Sequence, residues 1–216
     1  MFMDIPAEVA VMTLPNQTLF PQALLPLYIF EPRYRQMLAE LLDSHRMFVV
    51  AMQRHGSKRE SPSMVAGLGL IRVCVDNPDG TSHLILQGIS RVELTRTVHY
   101  KPFRVSRIRM LQAPAADSVA IDALMAKVRD LVSERIRQGL RGQPGAPKAG
   151  SLKEIISHLD GMNDPEQVAD LVSSALLPGS LERQAIMETV DIEPRLKRLI
   201  HFLMAEIRQH GKNMGQ

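Results

Sequence analysis

Six cations gather in one window of the chain. Arg91, Arg96, Lys101, Arg104, Arg107 and Arg109 stand there against the single acid Glu93, a net of +5. The remainder, with 20 basic and 22 acidic residues, nets −2. Tyr100 and Phe103 are interleaved with these cations, so the window holds the residue types that grip a nucleic-acid strand: charged groups for phosphates and rings for bases. Arg96, Lys101, Arg104 and Arg107 are the candidate phosphate contacts. A competing reading, an exposed strand or loop with solvated side chains, explains the same residues with less and is favoured.

Catalytic constellations are missing. A phosphate-binding loop frees backbone N–H groups with glycines and then places Lys-Ser or Lys-Thr, but Gly211-Lys212 is followed by Asn213. Gly67-Leu68-Gly69 lacks a third glycine at position 72 and runs into a strand, so it reads as a bend or bulge. There is no G-x-S-x-G elbow. Cys74, the one cysteine, sits mid-strand on the face opposite Ile71, Val73 and Val75. A thiol nucleophile needs an activating base, so Cys74 is taken as structural. None of the seven histidines has an i, i+4 partner of the kind that grips zinc. No metal, cofactor or catalytic residue is expected.

The elements that must position any binding residue change character midway. Val9–Met12, Leu24–Phe30 and Phe48–Met52 are apolar runs read as strands. The second is apolar on both faces, as a covered strand should be, and Pro21 and Pro26 place it at an edge or bend. Ile71, Val73 and Val75 alternate with Arg72, Cys74 and Asp76, and Leu84 and Leu86 alternate with His83, Ile85 and Gln87. Asn77-Pro78-Asp79-Gly80 lies between them and predicts a hairpin turn. Further strands are expected near Val92–Leu94 and Phe103–Met110, and residues 53–64 read as a mobile surface loop.

Helical spacing appears first at Tyr34, Met37, Leu38, Leu41 and Leu42, behind Pro32. From Ala113 onward only helical spacing is seen. Ile121 to Ile136 form one stripe capped by Asp117 or Ser118 and ending at Gly139, and Leu152 to Leu159 mark a short helix. Asp164-Pro165-Glu166-Gln167 resembles a capping box, Ser180 opens another helix, and Leu196 to Ile207 form the last. Residues 139–150 hold four glycines and two prolines, a flexible connector. The predicted class is therefore α+β, with a β-rich part at 1–112 and a helical part at 113–216.

Composition narrows the setting. The chain has 216 residues and is 45% hydrophobic, enough for one large domain or two small ones with real cores. Its first basic residue is Arg33, so no leader peptide is expected, nor is a membrane span. A single cysteine suits a reducing compartment, and a cytoplasmic location is expected.

Leu14-Pro15, Leu19-Phe20-Pro21 and Leu25-Pro26-Leu27-Tyr28-Ile29-Phe30-Glu31-Pro32-Arg33-Tyr34 resemble the opening signature of the Lon protease N-terminal domain. The likeness continues in Gly67-Leu68-Gly69, in Leu86-Gln87-Gly88-Ile89-Ser90-Arg91 read as a strand and turn, and in the helical half from Asp164. It implies a PUA-like β pseudo-barrel with one interrupting helix, followed by a C-terminal helical bundle. It also implies a non-enzymatic module that binds unfolded or damaged polypeptides, as a stand-alone substrate-binding domain or an adaptor for a separate ATP-dependent protease. The ATPase and peptidase motifs are not found in this sequence, so neither activity is expected to carry over.

On that reading Phe20, Tyr28, Phe30 and Phe103 are the candidate polypeptide contacts, and the 13 methionines are adaptable apolar surface. RNA bound along the stripe at 91–110 is the alternative, since PUA-like folds include RNA binders. Within the signature Glu31 is expected to pair with Arg35, Arg33 to clamp a neighbouring loop, and Gly88 to supply a backbone conformation other residues avoid.

Overall fold

A computed structural model describes residues 4–57, 60–114, 119–140, 159 and 161–213. The elements in chain order are β1 (Glu8–Leu14), β2 (Leu24–Ile29), α1 (Pro32–Leu42), β3 (Met47–Met52), β4 (Val65–Asp76), β5 (Ser82–His99), β6 (Arg104–Leu111), α2 (Val119–Leu140), α3 (Pro165–Leu176), α4 (Ser180–Glu188) and α5 (Ile192–Asn213). Strands with one helix precede helices, an α+β order. The backbone divides into two compact units between Gln112 and Ala113.

In the first unit the sheet runs β2-β5-β4-β3-β1-β6, and β6 pairs again with the far half of β5. Strands β5, β4, β3, β1 and β6 therefore close on themselves, and β2 is appended to the near half of β5 at the sheet's edge. Closure explains why all six residues of β3 are buried. Met47, Val49 and Ala51 join Val9, Val11, Leu68, Val92 and Leu94 in one apolar cluster. Phe48 and Val50 point the other way, into a second cluster with Tyr34, Met37, Leu38 and Leu41 of α1. The stripe read from sequence is the buried face of that helix.

Pairing between β4 and β5 departs from simple alternation twice. Ile71 pairs with Leu86 and Val73 with Ile85, so Arg72 is an extra residue and β4 bulges there. The alternation predicted for Ile71, Val73 and Val75 breaks at this point. Ile71 and Cys74 face the core, while Val73 and Val75 turn to solvent. A second shift, between Leu68 and Gly69, makes Ile89 the extra residue on β5. The expected strand-turn at Leu86–Arg91 and separate strand at Val92–Leu94 are instead one continuous 18-residue strand.

The hairpin turn forms where Asn77-Pro78-Asp79-Gly80 places it. The Gly80 N–H donates to Asn77 O at 2.9 Å, the Asn77 N–H to Thr81 O at 2.8 Å, and Gly80 takes φ +77°. Gly88 answers to a different constraint from the one expected. A Cβ there would lie 1.9 Å from the carbonyl oxygen of Phe20, so glycine is needed for close approach of two main chains.

In the second unit α2 buries Ile121, Met125, Val128, Leu131, Val132 and Ile136, and Arg129 donates to Met162 O at 2.6 Å. Asp164 caps α3 as read, accepting from the Glu166 N–H at 2.9 Å, but the Gln167 side chain donates to the same carboxylate at 2.9 Å, which differs from the reciprocal bonds of a capping box. Arg195 of α5 is wholly buried. Its Nε donates to Thr189 O at 2.8 Å, and Nη1 lies 3.3 Å from Glu166 and 3.6 Å from Asp170. Helix α2 extends to Leu140. The rest of the connector, the cap at 117–118 and the helix at 152–158 lie outside the described residues. No helix among the described residues is long and apolar enough to cross a membrane.

Candidate functional site

Strand β2 carries apolar side chains at every position (LLPLYI), yet only one face of it is covered. Ile29 is buried, Leu25 and Leu27 are half-buried, and Leu24, Pro26 and Tyr28 are exposed. This corrects the two-faced burial expected from the apolar run. Among the described residues no layer covers the outer face of this edge strand, so alternate residues meet water.

Register assembles these residues with their neighbours. Pro26 lies opposite Ile85, which lies opposite Val73; Tyr28 lies opposite His83, which lies opposite Val75. Two cross-strand rows result, spanning β2, β5 and β4. Tyr28, Phe30, Val73 and Val75 are 48%, 58%, 51% and 57% exposed. The rows line a concavity of about 400 Å³. Its aromatic end is ordered: the Tyr28 ring stacks on His83 with centroids 4.7 Å apart and on Phe30 at 5.8 Å. The Tyr28 hydroxyl donates to Thr81 Oγ1 at 3.2 Å, which fixes the ring at the rim. At the other end Arg72 Nε donates to Gln87 Oε1 at 2.5 Å.

The backbone of β2 bears on what such a face accepts. The Gly88 N–H donates to Ala23 O at 2.8 Å. Hydrogen-bonded pairs alternate along antiparallel strands, so Ala23, Leu25, Leu27 and Ile29 turn their backbone toward β5. Leu24, Pro26 and Tyr28 turn theirs to the open edge. Proline there removes the central donor that an added strand would need. The surface therefore offers side chains rather than a strand template.

Of the four predicted polypeptide contacts, Tyr28 and Phe30 lie on this face. Phe20 and Phe103 do not: at 0% and 6% exposure they are core residues. Phe20 is held under β5 by the Gly88 approach, and Phe103 packs in the α1-side cluster. Met12, Met37, Met47, Met52, Met125 and Met187 are likewise core, so these six are not adaptable surface, whereas Met64 is exposed. Sequence reading missed Val73, Val75, Ile85 and His83, because the bulge that exposes the valines is a property of pairing.

Beside this face, the signature around Arg33 builds an ionic knot. Arg33 pairs with Glu31 at 2.8 Å and with Glu60, and its guanidinium lies 4.4 Å from the Tyr34 ring centroid. Tyr34 donates to Glu60 Oε1 at 3.2 Å and accepts from the Thr13 N–H at 3.3 Å. Burial works against the Arg33 cation, but the Glu60 hydrogen bond, the Tyr34 oxygen, the Glu31 hydrogen bond and the Glu60 charge together outweigh it and raise its pKa. Burial pushes the Tyr34 phenol up to about 12. Arg33 thus does clamp the segment at 53–64, whose described residues are also tied by Arg54 N–H to Ser61 O and Ser63 N–H to Met52 O. Glu31 pairs with Arg33 instead of Arg35, whose guanidinium reaches Gly80.

Cys74 is unsuited to nucleophilic work. Burial first, then the Asp76 charge, push its thiol up. Among the described residues no three His, Cys, Asp or Glu side chains gather as a metal site.

The basic stripe is divided by the fold. Arg91 is buried, with its guanidinium 5.9 Å from the Phe20 ring centroid. Arg107 pairs with Glu8 at 2.8 Å, and Arg109 Nε with Glu93 at 2.9 Å. Arg104 donates to Glu60 O at 3.0 Å and stacks on Tyr100. Arg96 and Lys101 remain exposed.

Residues 8–205 match the ATP-dependent protease La (LON) substrate-binding domain family. The Lon protease of Phenylobacterium zucineum is 27% identical over 92% of this chain, and that of Dictyoglomus thermophilum is 21% identical over 94%. The chain spans about a quarter of the length of these relatives. The N-terminal domain of Mycobacterium avium complex Lon protease superposes with a TM-score of 0.69 at 18% identity, covering 91% of this chain and 98% of that one. A Lon N-terminal domain protein from Xanthomonas campestris gives 0.65 at 17% identity, covering 90% and 98%.

Proposed function

The chain belongs to the Lon substrate-binding domain family, and from that premise we propose that it binds apolar segments of unfolded or damaged polypeptides on the outer face of β2, β5 and β4. The carrying observation is the pair of rows Pro26–Ile85–Val73 and Tyr28–His83–Val75, apolar apart from one imidazole and open to solvent. Contiguous exposed apolar surface of this kind marks interaction sites. Aromatic anchors with fixed rings, such as Tyr28, cost little entropy to use.

The proline-blocked edge supports recognition by side chains over strand addition. Recognition of that type tolerates varied sequences, which suits a quality-control client. The chain's part is to hold the client, as binder, adaptor or modulator, for an ATP-dependent protease.

Fluorescence anisotropy with a labelled, reduced and carboxymethylated unfolded protein tests this. Burying the open half of Val73 and Val75 is worth about 1 kcal/mol each, half the full value for such a side chain. The double substitution Val73→Ser and Val75→Ser should therefore weaken binding by roughly thirtyfold, at an unchanged melting temperature. Unaltered affinity in the folded double variant would remove the face from consideration.

A further inference from the structure

The outer face of β2, β5 and β4 continues past its two apolar rows. In the next row along the strands Leu24 stands opposite Gln87, and Arg72 Nε donates to Gln87 Oε1 at 2.5 Å. Gln87 and Ile85 are two positions apart on β5, so their side chains share a face. That bond therefore places the Arg72 side chain on the surface that carries Ile85 and Val73, beside Val73 in the β4 bulge. Arg72 is exposed, and among the described residues no carboxylate pairs with it. Gln87 fixes one edge of the guanidinium, and neither Nη group has a partner among the described residues.

The aromatic end of the same face carries the opposite charge. Asp79 lies in the turn after β4, and its carboxylate accepts from the Thr81 N–H at 3.0 Å and the Thr81 hydroxyl at 2.6 Å. The Thr81 hydroxyl and then its N–H hold the Asp79 carboxyl below the usual range. Thr81 Oγ1 also accepts from the Tyr28 hydroxyl, so this acid is tied to the rim. Asp76 is turned away, accepting from Ser82 Oγ at 2.7 Å on the side of the sheet that Ile29 faces. An apolar groove with a carboxylate at its aromatic end and an unpaired cation at the other distinguishes apolar segments by the charge beside them.

We infer that Arg72 is a specificity-determining residue and that the preferred client carries an acidic side chain next to its apolar ones, an inference that rests on the reading of this face as a polypeptide-binding surface. Spacing sets the pattern. Successive rows are two residues apart on β5, about 7 Å. An extended client lying along the strands has the same repeat. Its residues i and i+2 occupy the rows Tyr28–His83–Val75 and Pro26–Ile85–Val73, and a carboxylate at i+4 meets Arg72. A basic side chain at i+4 is repelled there.

The test is anisotropy of the full chain at low salt against labelled peptides of about a dozen residues. Each contains Phe-Ser-Val-Ser followed by Asp, Asn or Lys and is otherwise uncharged. The Asp peptide should bind about threefold tighter than the Asn peptide, and the Lys peptide more weakly than either, the range of a solvent-exposed ion pair. High salt should close the gap. Moving the Asp by one position turns it to the far side of an extended chain and should erase the preference. Arg72→Gln should level the three peptides, and Arg72→Glu should place Lys above Asp, with circular dichroism confirming that both variants fold. Equal affinity for the three peptides in the native protein overturns the inference and leaves the apolar face standing. So does the native order persisting in Arg72→Glu. Failure of the Asn peptide to bind, or indifference of its binding to Val73→Ser with Val75→Ser, removes the face and the inference together.

Discussion

Replacing Gly88 by alanine separates two explanations of that glycine. The added Cβ would sit 1.9 Å from the Phe20 carbonyl oxygen and 3.3 Å from Pro21 Cα. Neither atom belongs to a side chain, so no rotamer change relieves the overlap and a backbone must move. Movement strains or breaks the bonds from Gln22 N–H to Gly88 O at 2.9 Å and from Gly88 N–H to Ala23 O at 2.8 Å. Each is worth about 1 kcal/mol, and overpacking a tight site costs about 1–3 kcal/mol more. The sum is roughly 3–5 kcal/mol, a large part of a typical domain's 5–15 kcal/mol. In urea, followed by far-UV circular dichroism, the midpoint should fall by about 2 M for a slope near 2 kcal/mol per M. Because Ala23 leads directly into β2, the same variant should also lose affinity for unfolded polypeptide. Asparagine at 88 should be no milder than alanine. A loss below about 1 kcal/mol, or clear rescue by asparagine, would refute the close-approach explanation.

Two further outcomes follow from other sites. His45 accepts from the Met47 N–H at 3.1 Å through Nδ1, and burial lowers its pKa below the ordinary 6.5. The folded state therefore resists protonation there: the contribution is complete above pH 6.5 and is lost as pH falls through the depressed folded-state value. Melting temperature should drop between pH 7 and 5 more steeply in the native protein than in His45→Asn, and parallel curves would contradict this. In the helical unit, Arg195→Met strands the buried Asp170 carboxylate and the carbonyls of Thr189 and Val190. It should cost about 3–5 kcal/mol in chemical denaturation, and a loss under about 1 kcal/mol would show that the pair is dispensable.

Much of the fold was legible because it is written locally. The turn at Asn77–Gly80 needs proline and glycine in adjacent places, and the α1 stripe needs only apolar residues three and four apart. The Asp164 cap involves neighbours within three residues. The candidate site was half legible. Tyr28 and Phe30 were identified with Phe20 and Phe103, but nothing in the four residue types separates a ring at the open edge from one under the sheet. The Arg33 clamp was anticipated, whereas its partner Glu60 was not, being 27 positions away.

What the sequence by itself determined is therefore the kind of element at each place, the order of strands before helices, and the family signature that accompanies them. These depend on backbone preferences and side-chain periods that act within a few residues. Tertiary structure alone decided which apolar residues meet water and which cations stay unpaired. Val73 and Val75 are exposed because β4 has one residue more than β5 between two paired positions. Arg107 is neutralised by Glu8, 99 positions distant, while Arg96 opposite it is not. Both outcomes are relations between strands, fixed only when the chain closes its sheet, so no single stretch of sequence carries them.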